Sequence, residues 1–381
     1  MTKTFLALAA TATLAFADAP ATLTVTAVNQ LPLARVSQTI ELTAAQLAPL
    51  GTTNLACIHV QDAAGKELVV QAVDTDFDAF HKYDLVIFQS DFATNETKTF
   101  TVSVGKKQEY SKEEFKAFGR FNRERFDDFA WENDRIAHRI YGKALETWEG
   151  EPLTSSTIDI WSKRTARMVG NDWYLADHYH HDTGEGADFY SAGKTRGCGG
   201  NGIWAADKLW VSKNFTASRT LAAGPIRVLF ELDYDAFDAN GVKVSETKRI
   251  SLDAGSQLDH LQSLYKSDAP GALTCGIGLR KLPGEQVDFN AANGTLLAWQ
   301  KMEKNAGQQG VALLVNPQSV GQTEDKLNHL LLTKCDAHNA VSYWAGFAWD
   351  KAGQIPDAPA WKKYVDEFAQ GLASPIEVSV K

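Results

Sequence analysis

At 381 residues the chain can hold one large or two ordinary domains, and its four scattered cysteines contain no CxxC pair, which argues against a zinc knuckle. A formal net charge of −9 without any Lys/Arg block excludes a nucleic-acid binder, and nothing approaches the roughly 20 apolar residues of a bilayer span. A short anionic ligand stays open, because a few local cations dominate within a Debye length of about 10 Å.

The chain starts with Lys3, an apolar run from Phe5 to Phe16 and the small-residue signature Ala15-Phe16-Ala17. That is the layout of a secretory signal peptide over residues 1–17, cleaved before Asp18, so the protein is expected to be exported, periplasmic or secreted. Such a compartment permits disulfides among Cys57, Cys198, Cys275 and Cys335, and three full pairings are open.

Alternating apolar and polar residues then dominate. The clearest run has Ile226, Val228, Phe230, Leu232 and Tyr234 interleaved with Arg227, Glu231, Asp233 and Asp235. Similar strands are expected at Leu23 to Val28, Lys98 to Val104, Leu273 to Arg280, Thr295 to Met302, Gly310 to Val315, His329 to Thr333 and Val341 to Trp349. Asn240-Gly241, Pro270-Gly271, Pro283-Gly284 and Asn293-Gly294 supply the turns. Two helices are expected: one led by the capping-box spacing Ser111 to Glu114 into Phe115, Phe118 and Phe121, and one carrying Trp361, Tyr364, Val365 and Phe368. Without a blade-length repeat a propeller is disfavoured. The expected fold is mainly β, a large antiparallel sandwich with a few short helices. An N-terminal β region over 18–108, either separate or part of the same sandwich, precedes the main sandwich at 109–381, with the charged stretch Gly105 to Ser111 as boundary.

Chemistry concentrates at Asp177 to Tyr190, where three of nine histidines, four carboxylates and two tyrosines share fourteen residues. If Asp177 to His181 is extended, alternation places His178 and His180 on one face. An imidazole near its ordinary pKa of about 6.5 can take or give a proton at neutral pH, and Tyr190 offers a phenolic proton. His180 and Tyr190 are thus the candidate base and acid. No cofactor is expected, although His178, His180 and Asp182 form an alternative divalent-metal ligand set. Glycines from Gly193 to Gly202 match neither a Walker loop nor a dinucleotide fingerprint, and read as backbone approaching a ligand, with Arg196 able to hold a carboxylate.

Two further polar clusters run from Trp131 to Gly142, including Asn133 and Arg135, and from Asp159 to Arg164, including Trp161 and Lys163. Their plainer explanation is an edge strand with exposed charges. Trp161, Trp173, Trp204, Trp344 and Trp349 flank polar runs, where an indole can stack on a sugar ring, although most single tryptophans are core.

These motifs resemble domain-of-unknown-function family 4861, found among secreted bacterial polysaccharide-degrading enzymes. The matching residues are Trp131-Glu132-Asn133-Asp134-Arg135 with Arg139, Tyr141 and Gly142, and Asp159 with Trp161-Ser162-Lys163-Arg164. Further matches are Tyr179-His180, Gly184-Glu185-Gly186, Asp188-Phe189-Tyr190 to Gly193, Gly197-Cys198-Gly199, and Val341 to Gly346 with Trp349. The family includes an ulvan oligosaccharide dehydratase, which removes water from a terminal uronate to leave a 4,5-unsaturated sugar. The resemblance implies a sandwich like that of polysaccharide lyases and sugar mutarotases, and β-elimination on an acidic oligosaccharide. On that expectation His180 and Tyr190 are catalytic, while Arg196, Arg135, Asn133, His178, His181, Lys163, Trp161 and Trp204 bind substrate. A lyase splitting the glycosidic bond, a non-catalytic sugar-binding protein and a metal-dependent hydrolase or esterase are the alternatives.

Overall fold

The computed structural model describes residues 22–76, 82–150, 152–268, 271–317 and 320–381. The expected signal peptide lies outside the described residues. Antiparallel sheets account for most of the fold, as the alternation predicts.

The N-terminal part is a small sandwich. A four-stranded sheet, in the order Glu377–Val380, Leu23–Val28, Thr97–Val104 and Ile58–Asp62, faces a three-stranded sheet of Arg35–Thr43, Leu85–Phe92 and Val70–Val73. Their inward residues, including Val25, Leu42, Val60, Phe88, Phe100 and Val102, make a core of their own. One strand of this unit thus comes from the far end of the chain, which runs back to pair Val25 with Val380.

The main body is a larger sandwich. One layer is an eight-stranded sheet in the order Ala217–Ala223, Arg227–Ala239, Val242–Asp253, Leu258–Ser267, Ala340–Trp349, Gln308–Val315, Thr295–Lys301 and Gln286–Asn290. The other layer is two five-stranded sheets. The first runs Gly186–Ala187, Ile158–Lys163, Ala137–Ile140, Asp128–Asn133, Ala117–Asn122; the second runs Lys208–Trp210, Cys198–Ala205, Thr274–Arg280, Asn328–Lys334, Gly321–Glu324. A parallel bridge between Ile158 and Gly197 joins them. Gly197 has φ +59°, and a side chain there would run into the Ile158 carbonyl, so only glycine permits the junction. Phe129, Ile160, Phe230, Ile250, Leu279, Leu313 and Phe347 fill the space between the layers.

The helix Ala358–Ala373 starts at an Asp357 cap and lays Trp361 and Val365 on the outer face of the eight-stranded sheet, as its apolar spacing predicts. The helix expected after Ser111 does not form. Glu114 closes a single turn back onto Ser111, and the phenylalanines then follow a strand, Ala117–Asn122, with Phe118 and Phe121 on opposite faces. Tertiary pairing with Asp128–Asn133 outweighs a one-turn capping signal. No disulfide joins the four cysteines. Among the described residues no helix is long and apolar enough to cross a membrane.

Candidate functional site

The site starts from period-two alternation on three adjacent strands. Phe129, Trp131, Ile140, Ile158 and Ile160 point into the sandwich. Their sequence neighbours Asp128, Ala130, Glu132, Ala137, Arg139, Asp159, Trp161 and Lys163 therefore share the outer face. A short helix, Gly170–Ala176, covers that face. Its first turn is tied down by Glu132, which accepts from Val169 N (2.9 Å), Gly170 N (2.6 Å) and Lys163 Nζ (2.8 Å). Trp173 and Tyr174 press onto the fully buried Trp161.

Asp177 caps this helix in the left-handed conformation with φ +52°. Residues 178–181 consequently turn, with His181 N donating to the His178 carbonyl, and are not extended. That overturns the expected sharing of a face: Tyr179 is buried and stacks on Trp161, whereas His178, His180 and His181 are exposed. His178 and His181 lie ring to ring, 6.2 Å apart. Asp182 accepts from Gly184 N and Gly186 N and pairs with Arg164. No three His, Cys, Asp or Glu side chains gather as a metal would require among the described residues, so the set His178, His180, Asp182 is not assembled.

His180 is held from behind. Its Nδ1 lies 3.3 Å from the Asp188 carbonyl and 3.5 Å from Asp188 Oδ2, while about half of its side chain faces solvent. Asp188 itself is buried, and its Oδ2 accepts from Arg139 Nη2 at 2.8 Å. Arg139 Nε donates to Asp159 Oδ2 at 2.9 Å, and its Nη1 lies 3.7 Å from Asp128 Oδ2. Tyr141 donates to Asp159 (2.7 Å) and Tyr174 to Asp128 (3.2 Å). The guanidinium also lies over the rings of Tyr141, Trp161 and Tyr179 at 5.3–5.5 Å. Three buried carboxylates thus share one buried arginine. Burial pushes the Asp128 carboxyl up to about 7, Arg139 and Arg125 opposing it, and pushes Asp188 well above the carboxylate range, helped by Asp159.

After Asp188 the chain wraps around the end of the sandwich. Phe189 meets Trp349 at 5.5 Å, and Arg164 lies over that indole at 4.6 Å. Tyr190 turns into the core beside Cys198. Arg280 sits over its ring at 5.4 Å and pairs with Glu303. The Tyr190 hydroxyl is buried without a hydrogen-bond partner among the described residues, and burial raises its pKa well above the ordinary phenol value. Phe189, Trp349 and Arg164 therefore form one contact group and Tyr190 with Arg280 another, and Asp188 and Phe189 link His180 and Tyr190 along the chain.

Several expected ligand-binding residues are structural instead. Asn133 spends its amide on the Asp253 and Ser256 carbonyls and its oxygen on Arg135 N and Ile136 N. Lys163 is buried against Glu132 and the carbonyls of Asn133 and Arg167. Arg196 is buried, donating to the Ser155 and Ser156 hydroxyls, with burial lowering its pKa to about 10. From Gly197 on, the glycine run packs against the protein itself, Gly197 on the Ile158 carbonyl and Gly199 on the Ala345 side chain, whereas Gly193 meets nothing within 4 Å. Arg135 is half-buried beside Asp134, and Trp204 is half-buried on its strand, pairing with Leu209 in the second five-stranded sheet. Arg139, Asp159, Asp188, Arg164 and Arg280 were missed as site residues. The signal for the first two was an Arg and an Asp at outward positions of adjacent apolar strands.

The family described as Domain of unknown function (DUF4861) matches residues 28–378. The chain belongs to this family. A relative in Formosa agariphila, "Uncharacterized protein P7", is 32% identical over 374 residues, spanning 94% of this chain and 93% of that one. By structure the chain is similar to a protein in the glycosyl hydrolase family 38 from Enterococcus faecalis, with TM-score 0.51, 9% identity, and coverage of 94% of this chain and 47% of that one. An alpha-mannosidase from Enterococcus faecalis gives TM-score 0.50 and 9% identity, with 94% and 46% covered. This DUF4861 chain spans about half the length of those two proteins, and the likeness is one of fold.

Proposed function

We propose that this chain is a carbohydrate-active carbon–oxygen lyase that eliminates water from the terminal uronate of an acidic oligosaccharide, leaving a 4,5-unsaturated sugar. The observation that carries the reading is the exposed His180 imidazole, anchored at Nδ1 by buried Asp188, which in turn belongs to a cluster of three buried carboxylates on Arg139. The fold likeness to glycosidase structures and membership of DUF4861 support a carbohydrate-active enzyme, and the finer dehydratase reading follows the sequence resemblance.

The mechanism follows from acidity. Removing the C5 proton beside a carboxylate builds enolate-like negative charge, which needs a fixed cation nearby. Arg164 and Arg280 supply that charge in place of the buried Arg196. His180 takes the C5 proton through Nε2, with Asp188 fixing the ring. Tyr190, kept protonated by burial, is the proposed donor to the departing C4 oxygen; its hydroxyl is buried, so this step requires the end of the sandwich to open to substrate.

Incubation with a panel of uronate-containing oligosaccharides, read by mass, tests the reading. The expected product is one water lighter than the substrate. Chain splitting without added water would make the enzyme a polysaccharide lyase, and a gain of water would overturn β-elimination. His180→Ala and Tyr190→Phe should each lower turnover by about 10²–10⁴-fold. Full activity in both would sink the assignment.

A further inference from the structure

The strand Ala340–Trp349 alternates, sending Tyr343, Ala345 and Phe347 into the core and Ser342 and Trp344 outward, away from the His180 site. Trp344 faces His260 across the ladder, and the two rings stack at 4.8 Å with only 21° between their planes. His260 Nε2 lies 2.7 Å from Ser342 Oγ, which fixes the imidazole edge. Desolvation and Arg227 hold the imidazole below its ordinary pKa, so at neutral pH it is an uncharged plate.

This plate floors a cleft of about 630 Å³. The bulged N-terminal strand Arg35–Thr43, with Gln38 and Glu41, makes one wall. The helix Ala358–Ala373, with Tyr364, Glu367 and Phe368, makes the other. The volume falls within the roughly 300–1,000 Å³ of small-molecule sites, and the lining mixes flat aromatic surface with a few hydrogen-bonding groups. Its charges identify the ligand class. Both lining arginines are engaged: Arg227 with Glu41 (2.7 Å) and Asp253 (2.6 Å), and Arg35 with the Ser374 and Gly371 carbonyls. Glu41, Asp253 and Glu367 outnumber them among the lining residues. An anionic ligand would meet an excess of carboxylates over guanidiniums in this lining. A ring with one C–H face for the indole and imidazole, and hydroxyls for carboxylates and amide, meets every group.

We infer that the cleft between the N-terminal sandwich and the C-terminal helix is a second carbohydrate site, taking a short neutral oligosaccharide on the Trp344–His260 plate. The proposed catalytic end takes the acidic sugar, and the outer face takes an uncharged one, holding the protein on its polymer. The sugar class rests partly on the carbohydrate reading above.

The test is calorimetry of the full chain with neutral oligosaccharides of glucose, xylose, mannose and galactose, and with an acidic uronate oligosaccharide. At least one neutral member should bind with submillimolar Kd, and Trp344→Ala and His260→Ala should each weaken it by about tenfold or more. Turnover of a short uronate substrate should be unchanged in both. Melting temperature identifies a variant that fails to fold, and His260→Ala then carries the test alone. Absence of neutral-sugar binding at millimolar concentration, or binding that neither variant weakens, overturns the proposal. So does an acidic oligosaccharide that loses affinity in both variants. If the wild type turns over no uronate yet binds a neutral sugar at Trp344, the catalytic reading fails and the cleft stands.

Discussion

Two buried charge clusters lie in the main sandwich and differ in arithmetic. Between the layers, Lys248 Nζ meets Glu246 Oε1 at 2.7 Å, and Asn201, Ser263 and Tyr265 complete a closed network. One cation balances one anion, and no member of that network reaches the surface. On the outer face, Arg139 serves Asp128, Asp159 and Asp188, and Asp188 leads to a solvent-exposed imidazole. Balanced and sealed, the first is a fixture of the core. Open at His180 and richer in carboxylates, the second is where burial raises the Asp128 and Asp188 carboxyls, the pattern that makes it the candidate acid–base site.

That contrast can be broken at either end. The largest effect on stability is expected from Lys248→Met, which strands Glu246 in the core at about 3–5 kcal/mol. Urea unfolding should show this loss, with Glu246→Gln/Lys248→Met recovering part of it. Turnover per folded molecule should not change, and a selective loss of kcat would show that the inner cluster takes part in chemistry. Next, Asp188→Asn should lower kcat by at least about tenfold with a smaller change in KM, and displace the pH profile, because it removes the carboxylate behind His180. An unchanged profile would mean that Asp188 serves only the fold.

The remaining prediction concerns Asp128. Its folded pKa of about 7 lies above the ordinary carboxyl value of 3.8, so the folded state holds the extra proton between those limits. The stability from this group is fully present below about pH 4 and is lost as pH rises through 7. Melting temperature should therefore decline from pH 5 to 8 in the wild type, and this component should flatten in Asp128→Asn. An identical decline in the variant would locate the proton elsewhere in the cluster.

Where one face of a strand is buried, the sequence is easy to read. The residues from Ile226 to Tyr234, and those from Val341 to Trp349, alternate because each strand has one face in the core. The helix bearing Trp361 and Val365 was equally plain. The site was harder, because its decisive contacts cross the chain. His180 and Asp188 meet only once Asp177 ends a short helix in the left-handed conformation and reverses the path. Alternation assumed in that turn put His178 and His180 on a common face, apart from Tyr179 and His181, and gave no sign that Tyr179 would stack on Trp161. Arg196 looked like a ligand grip for want of any sign that Ser155 and Ser156 would bury it. Glycine spacing shows that something comes close, without saying whether it is substrate or the next strand.

The pairing of Glu377–Val380 with Leu23–Val28 bears on how the molecule is made. Ribosomes deliver Leu23–Val28 long before Glu377–Val380, so the N-terminal sheet keeps one side of that strand unpaired while the whole main sandwich is being made. During that interval the open edge can recruit other chains. The strand Glu377–Val380 therefore acts as a latch that shuts only after the main sandwich has been made.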